Sequence, residues 1–221
     1  MIEFALPPAP RSSDVLFRAD DTRGWANACI TKRRYWGRGD RPYMEGFRRA
    51  AKRLALQVCE EGREQDYLVY PILYCYRHHV ELALKSMIGL MLDLAEAEPD
   101  QQCKNAMEGH RVDTLWVVCK RYFKHENIKH FGLTIPREDL KGIDSYIRQL
   151  HEVDPDSQAF RYDRSKDGTK ISIPETVTHI NIALIAEYME RLCDQLDGMD
   201  FFLAHMRELR DDAQNYYCGW E

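Results

Sequence analysis

The stretch YCYRHHVELALKSMIGLML, residues 74–92, places five charged or imidazole side chains in a largely apolar sequence: Arg77, His78, His79, Glu81 and Lys85. On a helix, four of them share a strip about 100° wide: Arg77, His78, Glu81 and Lys85. A guanidinium binds phosphate through paired hydrogen bonds, and an imidazole moves protons near neutral pH. The pattern therefore predicts either a polar pocket that handles a phosphate or a buried ion network that fixes helix packing.

The helix that carries these residues is predicted over residues 66–96, where apolar residues recur at i, i+3, i+4 and i+7. The opposite face also becomes apolar, at Ile88 and Leu92, so the whole helix is expected to be buried. Because Met87, Ile88, Met91 and Leu92 spread round more of the helix than one core can cover, the apolar surface of this helix or of the last helix is expected to pair two subunits. Buried charges need partners, which we expect from i, i+4 pairs and from another helix or a second subunit. His79 borders the apolar stripe and is interpreted as a packed core histidine.

The remaining sequence predicts a mainly all-α fold, a helical bundle with a short β-hairpin insertion near residues 158–173. Alternating residues and the turn pair Asp167-Gly168 indicate the hairpin. Residues 1–43 are predicted to form an irregular N-terminal arm, and residues 44–221 the bundle. Further helices are expected at Tyr43–Gly62, from near His110, from Pro136, and from Pro174 with a pause at Asp197-Gly198.

The segment from Thr31 to Arg53 holds nine Lys or Arg residues and two acidic ones, a charge of +7 against −12 for the rest of a chain whose net charge is −5. Arginines there alternate with aromatic residues, which is typical of contacts to single-stranded nucleic acid. An alternative is a solvated loop whose aromatic rings pack on the bundle. The candidate nucleic-acid-binding residues are Arg33, Arg34, Tyr35, Trp36 and Arg38.

Several classes of protein are disfavoured by what the sequence lacks. The seven cysteines contain no CxxC pair, and charges interrupt every apolar run, which favours a cytoplasmic protein with reduced thiols and no membrane span. No HExxH, GxSxG, GxGxxG or P-loop pattern occurs. We therefore expect no metal site and no cofactor.

Three segments carry a resemblance to a known family. YRHHVELALKSMI, GHRVDTLW and DPDSQAFRYDRSKDG together resemble the HEPN superfamily, the helical domains named for nucleotide binding in higher eukaryotes and prokaryotes, and in particular an uncharacterised bacterial branch of it. The likeness covers residues 66–195. It implies a helical dimer that is either a metal-independent ribonuclease or a component of a toxin–antitoxin or phage-defence system.

The usual catalytic signature of that superfamily, an Arg followed after four to six residues by a His, is absent from this chain. The nearest spacing is Arg121 to His125, which we expect on one helix face. The resemblance leaves these catalytic candidates: Arg77, His78, Glu81, Lys85, His110 and Arg161. Our leading hypothesis is an RNA- or nucleotide-binding homodimer with a partner protein of the same system. The alternatives are a metal-independent endoribonuclease and a non-catalytic protein-interaction scaffold.

Overall fold

The computed structural model describes residues 17, 19, 21–30, 41–165 and 168–218. Helix accounts for 73% of these residues and none of them forms a β-strand, so the prediction of a mainly all-α protein is confirmed. Contacts divide the chain into two units, Met1–Gly39 and Asp40–Glu221. The described part of the first unit contains a short 3₁₀ helix, Asp21–Ala26.

The described residues of the second unit form seven α helices. Their bounds are α1 Arg41–Glu61, α2 Gln65–Ala95, α3 Gln101–Glu108, α4 Val112–Tyr122, α5 Glu126–His130, α6 Arg137–Val153 and α7 Ile182–Cys218. Residues 41–43, which were expected in the arm, form the start of α1.

Helix α2 is the central element, because α1, α4, α5 and α7 all pack against it. Met87, Ile88 and Met91 are fully buried by these neighbours within the one chain. Together with Leu92, which is half-buried, these residues were predicted to pair two subunits. The bundle itself covers Met87, Ile88 and Met91, so these three residues are not available to a second subunit.

Helix α7 differs from the prediction in where it begins and in its continuity. It begins at Ile182 rather than at Pro174, because Pro174 closes a turn with Val177 and Asn181 caps the helix by accepting from the Leu184 N–H. It does not pause at Asp197-Gly198. Buried contacts of Leu196 and Met199 on either side of that pair keep the chain helical.

Two short helices were not predicted, and one of them changes an expected pairing. Asp100 caps α3 by accepting from the Cys103 N–H at 2.8 Å. Helix α4 ends at Tyr122, and His125 lies at the start of α5. Arg121 and His125 therefore do not share a helix face, and Arg121 pairs with Asp100 at 2.7 Å instead.

The segment between α6 and α7 is largely irregular. Among its described residues there is one isolated antiparallel bridge, between Arg164 and Ile171, supported by the Ser172 N–H donating to Asp163 O at 2.9 Å. A single bridge is too short to count as a strand, so the predicted hairpin at residues 158–173 is not shown.

Candidate functional site

Arg77 lies at the centre of a buried group of charges, and it has no exposed surface. Its guanidinium donates to Glu81 Oε2 at 2.7 Å and to the backbone carbonyl of His110, and its Nε lies 3.3 Å from Asp154 Oδ2. The last contact is an ion pair rather than an aligned hydrogen bond. Every edge of this guanidinium is therefore held by the protein, and Arg77 cannot contact a bound anion.

Glu81 links Arg77 to two further hydrogen-bond donors, Lys85 and His110. Its Oε1 accepts from Lys85 at 3.0 Å and from His110 Nδ1 at 2.9 Å. Burial alone would raise the pKa of Glu81, but the hydrogen bonds from His110, Lys85 and Arg77 lower it below its ordinary value. We call Arg77, Glu81, Lys85, His110 and Asp154 the Arg77 cluster.

The Glu81 hydrogen bond fixes the tautomer of His110. An ionised carboxylate can only accept, so Nδ1 of His110 carries the shared proton, and in the neutral ring the lone pair lies on Nε2. The side chain of His110 is 57% exposed. Because Nδ1 is held against the buried Glu81, the exposed edge of the ring is the Nε2 edge. The cluster therefore presents one proton-accepting nitrogen to the solvent side.

Asp154 ties the end of α6 to the cluster and shapes the loop that follows. Its Oδ1 accepts from the backbone N–H groups of Gln158 and Ala159 at 2.8 and 3.0 Å, while its Oδ2 faces Arg77. The buried charges of α2 were predicted to find partners on another helix or a second subunit. Asp154 and the His110 carbonyl, both from this chain, supply it.

The exposed edge of His110 lies in a polar depression of about 890 Å³, which we call the His110 pocket. It is formed by residues 109–111, by the loop 154–159, and by Ser165, Lys170 and residues 171–172. Arg111 contributes a guanidinium that also pairs with Asp113 at 2.8 Å. Neither Arg111 nor Lys170 was among the predicted site residues, because only the folded loop places them beside His110.

The structure separates His78 and Arg161 from the Arg77 cluster. The ring of His78 stacks on Tyr74 at 5.6 Å and meets Phe47 edge-on at 4.5 Å. Burial lowers the pKa of His78, so the ring is neutral at pH 7. The guanidinium of Arg161 contacts the same Tyr74 ring, 5.5 Å from its centre. The six catalytic candidates thus fall into two groups, and only Arg77, Glu81, Lys85 and His110 come together.

A second charged group, not predicted from the sequence, surrounds His79. Its Nδ1 donates to Met44 O at 3.0 Å, and its Nε2 lies 3.2 Å from Asp197 Oδ1. Burial alone would lower the pKa of His79, but Asp197 and Cys193 raise it to about 10. Arg48 of α1 joins by pairing with three carboxylates of α7. We call this group the His79 cluster: Arg48, His79, Glu190, Asp194 and Asp197.

The basic and aromatic candidates Arg33, Arg34, Tyr35, Trp36 and Arg38 lie outside the described residues. Among the residues that are described, no three His, Cys, Asp or Glu side chains are grouped so as to hold a metal ion. No described helix combines the length and the apolar character that crossing a bilayer requires.

Comparisons with known proteins add no relative. No family model, no curated protein and no solved structure matches the chain. The function therefore has to be inferred from the pocket itself and from the sequence resemblance.

Proposed function

We propose that this chain is a HEPN-like RNA- or nucleotide-binding protein of a bacterial defence or toxin–antitoxin system, and that it binds a phosphate group of its ligand in the His110 pocket. The observation that carries the proposal is the hydrogen bond from His110 to buried Glu81, which fixes an exposed imidazole in the lining of a depression that also holds Arg111 and Lys170. Side chains held this rigidly by a buried network are suited to ligand recognition.

The charges around the pocket support an anionic ligand. Asp154 is neutralised by Arg77 at its back, and Arg111 and Lys170 face the depression from two different loops. Besides Asp154, Asp156 is the one carboxylate among the described lining residues, and it is exposed. A phosphate oxygen could accept from Lys170 and Arg111 together, as in other charge-assisted phosphate contacts.

A specific observation also favours the endoribonuclease alternative. With Nδ1 held by Glu81, Nε2 of His110 can accept the proton of a ribose 2′-hydroxyl as its oxygen attacks phosphorus. The bond from phosphorus to the leaving 5′-oxygen then breaks, and that oxygen takes a proton from water, leaving a cyclic phosphate. The cations that hold the phosphate would be Lys170 and Arg111, because Arg77 is inaccessible.

The homodimer belongs to the proposal as well, with α7 as its surface. Leu184, Tyr188, Phe201 and Leu209 of this helix are exposed apolar residues, whereas Met87, Ile88 and Met91 of α2 are covered within the chain.

The first test is binding of a labelled single-stranded RNA to the wild-type protein and to His110→Gln and Lys170→Gln variants. Loss of a charged contact costs about 1.5–3 kcal/mol, so each variant should bind at least 10-fold more weakly. Lys170→Gln should also reduce the slope of log affinity against log salt by roughly 0.7. His130→Gln and Lys104→Gln replace exposed residues outside the pocket and serve as matched controls.

The same proteins, incubated with RNA in EDTA, separate binding from cleavage. Products that disappear in His110→Gln, while some RNA binding persists, would establish the endoribonuclease. Intact RNA with pocket-dependent binding would establish the non-catalytic binding protein. Affinities of both pocket variants equal to the wild type would refute the His110 pocket as the binding site, and wild-type protein that binds no RNA would leave the interaction-scaffold alternative.

A further inference from the structure

A second depression, of about 590 Å³, adjoins the His110 pocket and shares two of its lining residues, Ala159 and Ile171. It differs from the His110 pocket in being aromatic. Tyr70 of α2 and Tyr162 of the loop line it, and their side chains are 46% and 57% exposed. We call it the Tyr162 pocket.

The Tyr162 ring is held in place from one side. The guanidinium of Arg161 lies 5.7 Å from the Tyr162 ring and 5.5 Å from the Tyr74 ring, so it makes a cation–π contact with both rings. Arg161 Nε donates to Ser157 O at 2.6 Å, which anchors the guanidinium to the turn that Asp154 organises. An exposed aromatic ring fixed from behind is a preformed platform for a flat ligand.

The charges of the Tyr162 pocket indicate which part of a ligand it takes. Asp163 and Glu175 both line it, against the single cation of Arg161, whose guanidinium is occupied by the two rings. These carboxylates would repel a second phosphate group. A nucleobase, in contrast, is flat and uncharged, and its N–H groups can donate hydrogen bonds to a carboxylate.

We propose that the Tyr162 pocket binds a nucleobase by stacking on Tyr162 and Tyr70, while the phosphate of the same nucleoside phosphate lies in the adjoining His110 pocket. This inference rests on the proposed function, and it specifies the ligand as single-stranded RNA or a free nucleotide whose base is unpaired. A base inside a duplex has both faces covered, so duplex RNA is excluded from the site.

The test compares ligands with and without bases on the full-length protein. Binding of a short single-stranded RNA is measured by fluorescence anisotropy, and an abasic RNA of equal length, cytidine monophosphate and ribose 5-phosphate are used as competitors. The wild-type protein should prefer each base-carrying ligand over its base-free counterpart. A Tyr70→Ala, Tyr162→Ala double variant should lose roughly 5- to 150-fold in affinity for the base-carrying ligands and retain its affinity for the base-free ones.

Two further variants keep the result specific. Tyr162→Phe retains the ring and should retain the affinity, whereas Tyr67→Ala removes an exposed tyrosine of α2 that does not line the pocket and should change nothing. Equal binding of base-carrying and base-free ligands to the wild-type protein overturns the base site but leaves the proposed phosphate pocket standing. If the wild-type protein binds none of the four ligands, both proposals are wrong. Competition by cytidine monophosphate that matches the RNA identifies a free nucleotide as sufficient.

Discussion

The Arg77 cluster and the His79 cluster each combine an arginine, a histidine and carboxylates, yet they use the imidazole in opposite ways. In the Arg77 cluster, His110 is held at Nδ1 only, and more than half of its side chain is exposed. In the His79 cluster, His79 is completely buried and both ring nitrogens face acceptors. The arginines also differ, since Arg77 is fully buried and Arg48 keeps some exposure.

The difference shows that the accessibility of the imidazole, rather than the composition of the cluster, separates a candidate ligand site from a structural network. His79 has no free nitrogen with which to accept a proton or bind a ligand. His110 has one, and a buried carboxylate orients it. The sequence pattern around His78 and His79 drew attention to the right helix, but the imidazole that faces a pocket lies 31 or more residues further along the chain.

The largest effect is expected from Arg77→Met, which tests whether the Arg77 cluster supports the fold beneath the pocket. The substitution leaves Glu81 and Asp154 buried without their shared cation. Breaking a buried ion pair by removing one partner costs about 3–5 kcal/mol. We expect a loss of that size in the free energy of unfolding, measured by urea denaturation.

Arg148→Met provides the control for this measurement, since Arg148 is 69% exposed and only loosely paired, at 4.0 Å, with Glu152. Arg148→Met should lower the free energy of unfolding by no more than about 0.5 kcal/mol. If Arg77→Met destabilised the protein no more than Arg148→Met does, the cluster would not be structural, and the contrast drawn between Arg77 and the exposed imidazole of His110 would fail.

The second effect is a dependence of stability on pH to which His79 contributes. The pKa of His79 is about 10 in the folded protein and about 6.5 in an unfolded chain. The stabilisation from its ion pair is therefore fully present below pH 6.5 and is lost as the pH rises towards 10. In that window the free energy of unfolding should fall by up to about 1.4 kcal/mol per pH unit.

The measurement compares the wild-type protein with His79→Gln by urea denaturation between pH 7 and pH 9. The groups facing His79 are the Met44 carbonyl, Asp197, Cys193 and Arg48, and burial raises the pKa of the Cys193 thiol. His79→Gln should make the pH dependence shallower than that of the wild type, and the buried thiols retain their own smaller contribution above about pH 8.5. Parallel curves for the wild type and His79→Gln would show that His79 is not a buried cation.

How much of this was predictable from sequence varies from residue to residue. The 3.6-residue spacing of apolar side chains located α2 and predicted that its charges are buried, because periodicity reports which faces meet a core. The i, i+4 spacing also predicted the Arg77–Glu81 and Glu81–Lys85 pairs. Apolar periodicity and i, i+4 pairing are local properties, because each depends only on residues a few positions apart in the sequence.

The rest depends on contacts between distant segments. Asp154 meets Arg77 across 77 residues of sequence, and Lys170 reaches the His110 pocket from an irregular loop, so no local pattern indicates either. One feature of the sequence does indicate the His79 cluster. Glu190, Asp194 and Asp197 lie at i, i+4 and i+7 on one face of α7, which is the spacing of a carboxylate stripe that requires a cation opposite. Arg48 on α1 is that cation.

The smallest effect compares the two lysines at the edges of the clusters. Lys85 donates to Glu81 at 3.0 Å with its side chain 21% exposed, and Lys52 lies 3.2 Å from Glu190 with its side chain 57% exposed. The contacts are similar in length, but water screens the more exposed pair more strongly, so Lys52→Met should cost at most about 0.5 kcal/mol. Lys85→Met should cost about 1 kcal/mol, since Glu81 is buried and would keep only Arg77 and His110.

Urea denaturation in low and high salt distinguishes the two lysines, because added salt should weaken the Lys52 contribution and leave the Lys85 contribution nearly unchanged. Equal losses with equal salt dependence would mean that the two clusters are equally open to solvent, and the distinction between them would then rest on the histidines alone.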